Sequence, residues 1–376
     1  MGIKNLEEFA RKYGQDYELF YDYLIMNGLS RNSIQSKMLA FKILKSITAG
    51  IDLSNLTEKD ILKIRTNIVK RYPQEQTQAM LQIVLRQWLD CSEQKDLIEL
   101  VKISRIKSNK KLPEEVLTRD EVQALLDNCN HPRNSALIAL MYDSGCRVGE
   151  LHDMRIKDVI FDDNGAVVTF PTGKTGWRKN RVVFAASYLR VWLDHHEHKA
   201  NPENPLWYTF KRDYKGKKEI QPLKASAVRK MIKETAERAG IQKRVHPHLF
   251  RHTRATELAN HLTEQQLKKQ FGWTQASNMA AQYVHLTDKD VDNAILKASG
   301  VEVIEKENER ELKPVRCERC KDLNPPGTSF CNKCGYPMAE EASIEPTTVL
   351  AEAMENPEFR NEVTKMLADM FEKSKK

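Results

Sequence analysis

The sequence predicts a mainly α-helical protein with a small antiparallel β-sheet, and two patterns support that fold class. Apolar residues recur every three or four positions over most of residues 4–104, as in NLEEFARKYG and EQTQAMLQIVLRQWLDC, which is the spacing of amphipathic helices. Short β-branched runs occur in DVIFDDNGAVVTFPTGKTGWRKNRVVFA, where DDNG and TGKTG mark two tight turns between strands. A chain of 376 residues is also long enough for two domains with appendages.

Start signals and composition divide the chain. Ser30 and Thr57 are predicted helix N-caps, and Thr118 with Glu121 forms a capping box at the start of a second domain. Residues 134–152 predict an apolar helix, a Ser-Gly break and a second helix that begins near Arg147, and the chain from the sheet to about residue 299 is expected to be helical again. The predicted segments are a helical domain (1–104), a basic linker (105–113), a second domain (114–300), a charged linker (301–316), a cysteine module (317–338) and a tail with an amphipathic helix (339–376).

The chain is basic, with a net charge of +8 and a pI of about 8.9. An anionic partner and a solvated lysine-rich surface both explain this charge. Several basic runs fall in predicted loops or linkers, which is where a surface that binds a nucleic-acid backbone would carry them. The first run is Arg105, Lys107, Lys110 and Lys111, the second is Lys174, Arg178, Lys179 and Arg181, and the third is Lys211, Arg212, Lys215, Lys217 and Lys218. No apolar run approaches the roughly 18–20 residues that span a bilayer, and the N-terminus lacks the apolar stretch of a signal peptide. We therefore expect a cytoplasmic protein without a membrane partner.

Four of the seven cysteines form a metal-ligand pattern. Cys317 and Cys320 make one C-x2-C pair, and Cys331 and Cys334 make a second pair ten residues later. Four thiolates close a tetrahedron around zinc and leave no open position, so the expected ion is structural. Redox pairs or disulfides are the alternative, which a cytoplasmic chain disfavours.

Cationic side chains are concentrated in HPHLFRHTR, where His248 and Arg251 lie one helical turn apart. Two other sites have a similar character: Arg147 in SGCRVGE, with Glu150 three residues later, and Lys174 in the turn PTGKTG. Each residue alone could be a surface charge or a structural histidine. Together they suggest a pocket that holds a phosphate, because guanidinium groups match phosphate oxygens.

The order of these motifs resembles the tyrosine recombinases, of the phage-integrase and Xer type. SGCRVGEL, TGKTG, the HxxRHxxAT stretch, QFGW and the tyrosine of AQYVHLT follow in the family's order, and the resemblance covers residues 113 to about 299. The first domain is similar to the family's core-binding, SAM-like domain in size and pattern only. A cysteine module after the catalytic domain departs from the usual plan of the family.

The resemblance implies roles for six residues. Tyr283 would attack a DNA phosphodiester to give a 3′-phosphotyrosyl link, and Arg147 with Arg251 would stabilise the charged transition state. Lys174 would protonate the departing 5′ oxygen, and His248 would assist proton removal from the tyrosine or bind the phosphate. Trp273 stands where most relatives carry a second histidine, so it could donate an N–H but could not transfer a proton.

The same resemblance implies the partners. The chain would act on double-stranded DNA that carries a specific recombination site, as a tetramer in the synapse, with possible accessory proteins and a location at the nucleoid. Rejoining would need neither ATP nor a divalent ion, since the phosphotyrosine bond conserves the energy of the phosphodiester. The expected outcome is integration or excision of a mobile element, or resolution of chromosome dimers. A non-catalytic DNA-binding regulator with this fold, and a type IB topoisomerase-like enzyme, are the alternatives.

Overall fold

The computed structural model describes residues 5–338, apart from 49, 105–115, 174–175, 213–217, 260, 284–294, 297–298, 300–311 and 313. The chain divides into two compact units, residues 1–110 and 111–376. The predicted linker 105–113, most of the predicted helix after Tyr283 and the whole tail 339–376 lie outside the described residues. No helix in the described part of the chain is both long and apolar enough to cross a bilayer.

The first unit is a helical domain with one apolar core. Phe20, Phe41 and Trp88 meet at its centre, with ring centroids 4.6 Å and 4.9 Å apart for the two pairs that Phe41 forms. The predicted N-caps Ser30 and Thr57 are both present. The helices are α1 (Leu6–Tyr13), α2 (Gln15–Met26), α3 (Arg31–Ile47), α4 (Glu58–Arg71) and α5 (Glu75–Cys91), followed by a 3₁₀ turn (Lys95–Leu100).

The second unit surrounds a three-stranded antiparallel sheet in the order β1-β2-β3. The apolar helix that the sequence predicts forms the centre of the unit, buried along most of its length, and the predicted capping box at Thr118 and Glu121 starts the helix before it. The elements up to the sheet are α6 (Arg119–Asp127), α7 (Pro132–Ser144), β1 (Val159–Asp162), β2 (Gly165–Phe170) and β3 (Arg178–Val182). Those that follow are α8 (Phe184–Asp194), β4 (Tyr208–Arg212), β5 (Lys218–Pro222), α9 (Ala225–Arg238), α10 (Pro247–Ala259) and α11 (Glu264–Phe271).

The mainly helical fold with a small antiparallel sheet is confirmed, but two local predictions are wrong. Residues 147–153 form turns and not a helix. The Glu150 carboxylate accepts a hydrogen bond from the Arg147 amide, and the Glu150 amide donates to the Arg147 carbonyl, which closes the turn. The second error is a missed hairpin, since β4 pairs with β5 in a region expected to be helical. A strand is predicted from apolar residues at every second position, and basic residues interrupt that alternation in β4 and β5. The sequence pattern therefore did not indicate these strands.

Two short strands pair antiparallel at the cysteine module: β6 (Val315–Arg316) directly precedes the module, and β7 (Leu323–Asn324) lies within it. The module lies in the second unit, beside α8 and the β1–β2 turn. The Arg190 guanidinium lies 3.2 Å from the Asp322 carboxylate and 4.4 Å from the centroid of the Phe161 ring. Arg316 donates to the Asp163 carbonyl at 2.8 Å. The module is thus attached to the end of the sheet opposite the β2–β3 connection.

Candidate active site

Arg147 lies in the loop that directly follows the end of helix α7. Helix α7 ends at Ser144, and Gly145 takes the left-handed conformation with φ 60°. A Cβ atom at Gly145 would overlap the Phe271 ring. Glycine is therefore required twice, for its backbone angle and for the close approach of α11.

Glu150 joins two arginines at the base of the site. Its side chain is 3% exposed, and its oxygens lie 3.1 Å from Arg147 Nη1 and 2.7 Å from Arg178 Nη2. Burial alone would raise the pKa of the Glu150 carboxyl, but the charges and hydrogen bonds of Arg178 and Arg147 outweigh it and lower the pKa below its usual value. Glu150 is consequently a carboxylate at neutral pH.

Arg251 is buried on α10, and its guanidinium points toward Gly145, the residue that follows helix α7. Its Nη1 donates to the Gly145 carbonyl at 2.9 Å, and its Nη2 donates to the Phe271 carbonyl. Burial, together with the nearby charges of Arg147 and Arg178, lowers the pKa of Arg251 to about 10. The guanidinium remains charged at neutral pH.

Within the described residues, the Glu150 carboxylate pairs with two of these guanidinium groups, those of Arg147 and Arg178, and its charge also acts on Arg251. Other donors of the pair reach neutral groups: Arg147 Nη2 bonds to the Gly272 carbonyl at 3.3 Å, and Arg178 Nη1 bonds to the Gln270 carbonyl at 2.7 Å and to Asn180 Oδ1 at 2.6 Å. Positive charge is therefore in excess at this point. An anion with several oxygens, such as a phosphate, has the chemistry to balance it.

His248 lies at the first turn of α10, three residues before Arg251, and its ring is exposed. Partial loss of solvent and the positive charge of Arg251 lower the pKa of His248, so the ring is neutral at pH 7. Lys174 lies outside the described residues. The preceding residue, Gly173, is next to the Glu150 carboxylate, since a Cβ atom there would lie 3.3 Å from Glu150 Oε1.

Tyr283 lies near Arg251, in a row of aromatic rings. Its ring is stacked on Trp273 with a centroid distance of 5.7 Å and an interplanar angle of 7°. The Arg251 guanidinium lies 5.4 Å from the Trp273 ring. Burial raises the pKa of Tyr283 to about 12, opposed only in part by the charge of Arg251. The phenol is therefore protonated, and its oxygen is hydrogen-bonded to His252 Nδ1.

Five of the six predicted catalytic residues thus fall in one region: Arg147, His248, Arg251, Trp273 and Tyr283. Two residues of the region escaped the sequence analysis. Arg178 was counted only among surface cations, and His252, which directly follows Arg251, received no role. A buried Glu150 needs a cationic partner, and Arg178 is that partner. The sequence does not show that Glu150 is buried, so it could not assign this role to Arg178.

The cysteine module forms a second candidate site. The four Sγ atoms of Cys317, Cys320, Cys331 and Cys334 all lie within 4.8 Å of one another. Two of the separations are 3.6 Å and 3.5 Å, close to the roughly 3.8 Å edge of a tetrahedron with 2.3 Å metal–sulfur bonds. All four are free thiols. The donor set fits a four-coordinate zinc ion.

Residues 115–290 match the phage integrase family. The tyrosine recombinase of Thermosipho africanus (strain TCF52B) is 28% identical over 299 residues, which are 74% of this chain and 98% of the relative. Tyrosine recombinase XerA of Pyrococcus horikoshii is 26% identical over 292 residues, 76% of this chain and 94% of that protein. The Tn1549 transposon integrase, solved in complex with circular intermediate DNA, shares the fold with a TM-score of 0.55 at 16% identity, covering 74% of this chain and 98% of that one.

Arginines beside a half-buried tyrosine, on this fold, form a pocket with the chemistry to hold a phosphodiester. Residues 115–290 carry a phage integrase family domain, and the chain is a tyrosine recombinase, an enzyme that cleaves and rejoins DNA strands. The resemblance identified from the sequence is confirmed.

Proposed function

We propose that Tyr283 is the nucleophile of this recombinase and that Arg147 and Arg251 bind the scissile phosphate. The phenol oxygen attacks phosphorus and forms the 3′-phosphotyrosyl bond, and the 5′ oxygen departs. The two guanidinium groups stabilise the charge on the non-bridging oxygens as the phosphorus becomes five-coordinate. Rejoining reverses these steps, because the covalent bond retains the energy of the phosphodiester.

The other predicted residues complete the proposal. Lys174 protonates the departing 5′ oxygen as the general acid. Neutral His248 donates a hydrogen bond to a phosphate oxygen from the mouth of the pocket. Trp273 orients the Tyr283 ring by stacking, and Arg178 holds Glu150 so that Glu150 can orient Arg147.

One observation supports these roles above the others. Three guanidinium groups surround one carboxylate, which pairs with Arg147 and Arg178, and the Trp273 and Tyr283 rings stack beside the third and most buried guanidinium, that of Arg251. A non-catalytic regulator would gain nothing from this excess of positive charge next to a half-buried phenol. The desolvation of that charge is costly unless an anion enters.

We further infer that the substrate is double-stranded DNA with a specific site, exchanged by an oligomer of this chain. Residues 1–104 would form the core-binding domain, and Lys110 and Lys111 would help the linker to close on the duplex. The name of one related protein, transposase A of transposon Tn554 from Staphylococcus aureus, supports a mobile element as the substrate. A λ integrase of the same fold was solved as a tetramer on a Holliday junction, which supports a tetrameric synapse.

The experiment is covalent trapping. The full-length protein is incubated with sheared genomic DNA of its source organism, denatured with SDS, and the protein-linked DNA ends are sequenced. We expect ends that map to a defined site and an adduct that is abolished by Tyr283→Phe but not by Tyr188→Phe, the matched change at a partly buried tyrosine of the same unit.

A failure to trap DNA on the wild-type protein, or an adduct that survives Tyr283→Phe, would reject the assignment. Strand exchange between two copies of the recovered site, as against relaxation alone, separates a recombinase from a topoisomerase-like enzyme.

For the cysteine module we propose a structural zinc ion held by Cys317, Cys320, Cys331 and Cys334. A segment this small lacks a core of its own, so metal binding supplies its folding energy. Metal analysis of the purified protein should find one equivalent of zinc, and the Cys331→Ser variant should lose it. Retention of zinc by that variant would contradict the assignment.

A further inference from the structure

We propose that His252 is the general base of the cleavage step and accepts the phenol proton of Tyr283 as the tyrosine attacks phosphorus. This inference rests on the proposed role of Tyr283 as the nucleophile. It makes His252 a catalytic residue, since its Nδ1 atom contacts the reacting oxygen directly.

The periodicity of α10 separates the tasks of its side chains. At 100° per residue, Arg251 and His252 leave the helix about 100° apart, with His248 between them. Arg251 turns toward the carbonyls of Gly145 and Phe271, whereas His252 turns toward Tyr283. One helix therefore offers a phosphate-binding group and a proton acceptor side by side.

The geometry favours His252 over His248 as the base. Within the described residues, the hydroxyl of Tyr283 bonds to His252 and makes no bond to His248. The two rings of His252 and Tyr283 are 5.8 Å apart between centroids. His248 is exposed and lies near the charges of Arg251 and Arg147, where it can bind a phosphate oxygen without contact to the phenol.

The phenol needs such an acceptor. With a pKa of about 12, Tyr283 is ionised in only about one molecule in 10⁵ at pH 7. Arg251 lies close enough to attract the phenolate, but burial of the ring outweighs that attraction. A positioned base typically contributes 10²- to 10⁴-fold to a rate, which is the scale of the benefit expected here.

The bond between Tyr283 Oη and phosphorus forms while the bond between phosphorus and O5′ breaks, and the phenol proton moves to Nδ1 of His252. The departing O5′ takes a proton from the general acid and leaves as a hydroxyl. In rejoining, the 5′-hydroxyl returns its proton to the general acid and attacks phosphorus, the bond between phosphorus and Tyr283 Oη breaks, and the tyrosine recovers its proton from His252.

The test uses the full-length protein and a nicked duplex synthesised from the sequence recovered by covalent trapping, so that the cleaved strand cannot be rejoined. His252→Asn places an amide oxygen near the position of Nδ1, which retains a hydrogen-bond acceptor but removes the base. We expect single-turnover cleavage to fall by about 10²-fold or more while DNA affinity, measured by fluorescence anisotropy, is unchanged. The matched control is His261→Asn, at an exposed histidine just beyond α10, which should cleave at the wild-type rate.

A second variant distinguishes a base from a positioning group. In His252→Gly, added imidazoles should restore cleavage, and the restored rate should rise with the basicity of the imidazole used. Wild-type cleavage by the Asn variant, or a rescue that does not depend on basicity, would overturn the inference. If instead the wild-type protein forms no adduct on Tyr283, the proposed function fails first, and the two failures are thereby distinguished.

Discussion

Glu150 and Arg178 form an ion pair with an N–O distance of 2.7 Å, with the two side chains 3% and 9% exposed. The same carboxylate also orients Arg147, so a single buried anion organises both guanidinium groups. Removing one partner of such a pair leaves uncompensated buried charge, which typically costs about 3–5 kcal/mol.

We therefore expect Glu150→Gln to lower the free energy of unfolding by about 3 kcal/mol and to reduce covalent adduct formation, since Arg147 loses its anchor. Denaturant unfolding followed by circular dichroism measures the first effect. Glu203→Gln is the control, because Glu203 pairs with Arg155 and Lys157 at the surface, where such pairs contribute about 0–1 kcal/mol. Equal losses in the two variants would show that burial of the Glu150 pair has no special importance.

The pH dependence of stability provides a separate test of Glu150. Its pKa is lower in the folded than in the unfolded protein, so the ion pairs stabilise the fold above the unfolded value of 4.5. That stabilisation is lost as the pH falls through the folded pKa. The difference in unfolding free energy between wild type and Glu150→Gln should thus be constant near pH 7 and shrink below pH 4.5. A difference that is independent of pH would mean that Glu150 is not ionised in the native state.

Gly145 should tolerate no side chain. Gly145→Ala places a Cβ on a residue with φ 60° and against the Phe271 ring, and the backbone angle alone costs about 1–2 kcal/mol. We expect a lower midpoint of thermal unfolding and weaker cleavage, because the Gly145 carbonyl also binds Arg251. Gly149→Ala is the matched control in the following turn, where a Cβ meets no atom within 4 Å. The prediction is wrong if the two variants unfold at the same temperature.

Arg251 should not be replaceable by lysine. The guanidinium donates to two carbonyls in different directions, and an ammonium on a flexible stem cannot reproduce that fixed orientation. We expect Arg251→Lys to slow cleavage by about 10²–10³-fold at saturating DNA, with little change in DNA affinity. Lys230→Ala, at an exposed residue of α9, should leave the cleavage rate unaltered. Wild-type cleavage by Arg251→Lys would show that charge alone is sufficient at this position.

The attachment of the cysteine module should depend on its metal. Arg190 contacts Asp322 of the module and the Phe161 ring of β1, so a folded module stabilises this side of the second unit. A zinc chelator should lower the unfolding temperature of the wild-type protein. It should have a smaller effect on Arg190→Ala, which has already lost a contact worth about 1 kcal/mol.

The control for that experiment is Arg181→Ala, which breaks an exposed pair with Asp162 at the same end of the sheet. Chelation should affect this variant as it affects the wild type. An equal response of Arg190→Ala and wild type would indicate that the module does not brace the catalytic unit.

The amino-acid sequence by itself determined the helical first domain, the capping boxes, the β1–β2–β3 sheet and the cysteine pattern, because these depend on neighbours along the chain. Motif order also predicted Arg147, His248, Arg251, Trp273 and Tyr283 as site residues, although not which histidine the tyrosine contacts. Only the tertiary structure decided that His252 is that histidine, that Arg178 pairs with Glu150, and that Arg190 attaches the module. Each of these contacts joins residues on different elements, and burial gives the ion pair its energy; neither distance nor burial is present in the linear pattern.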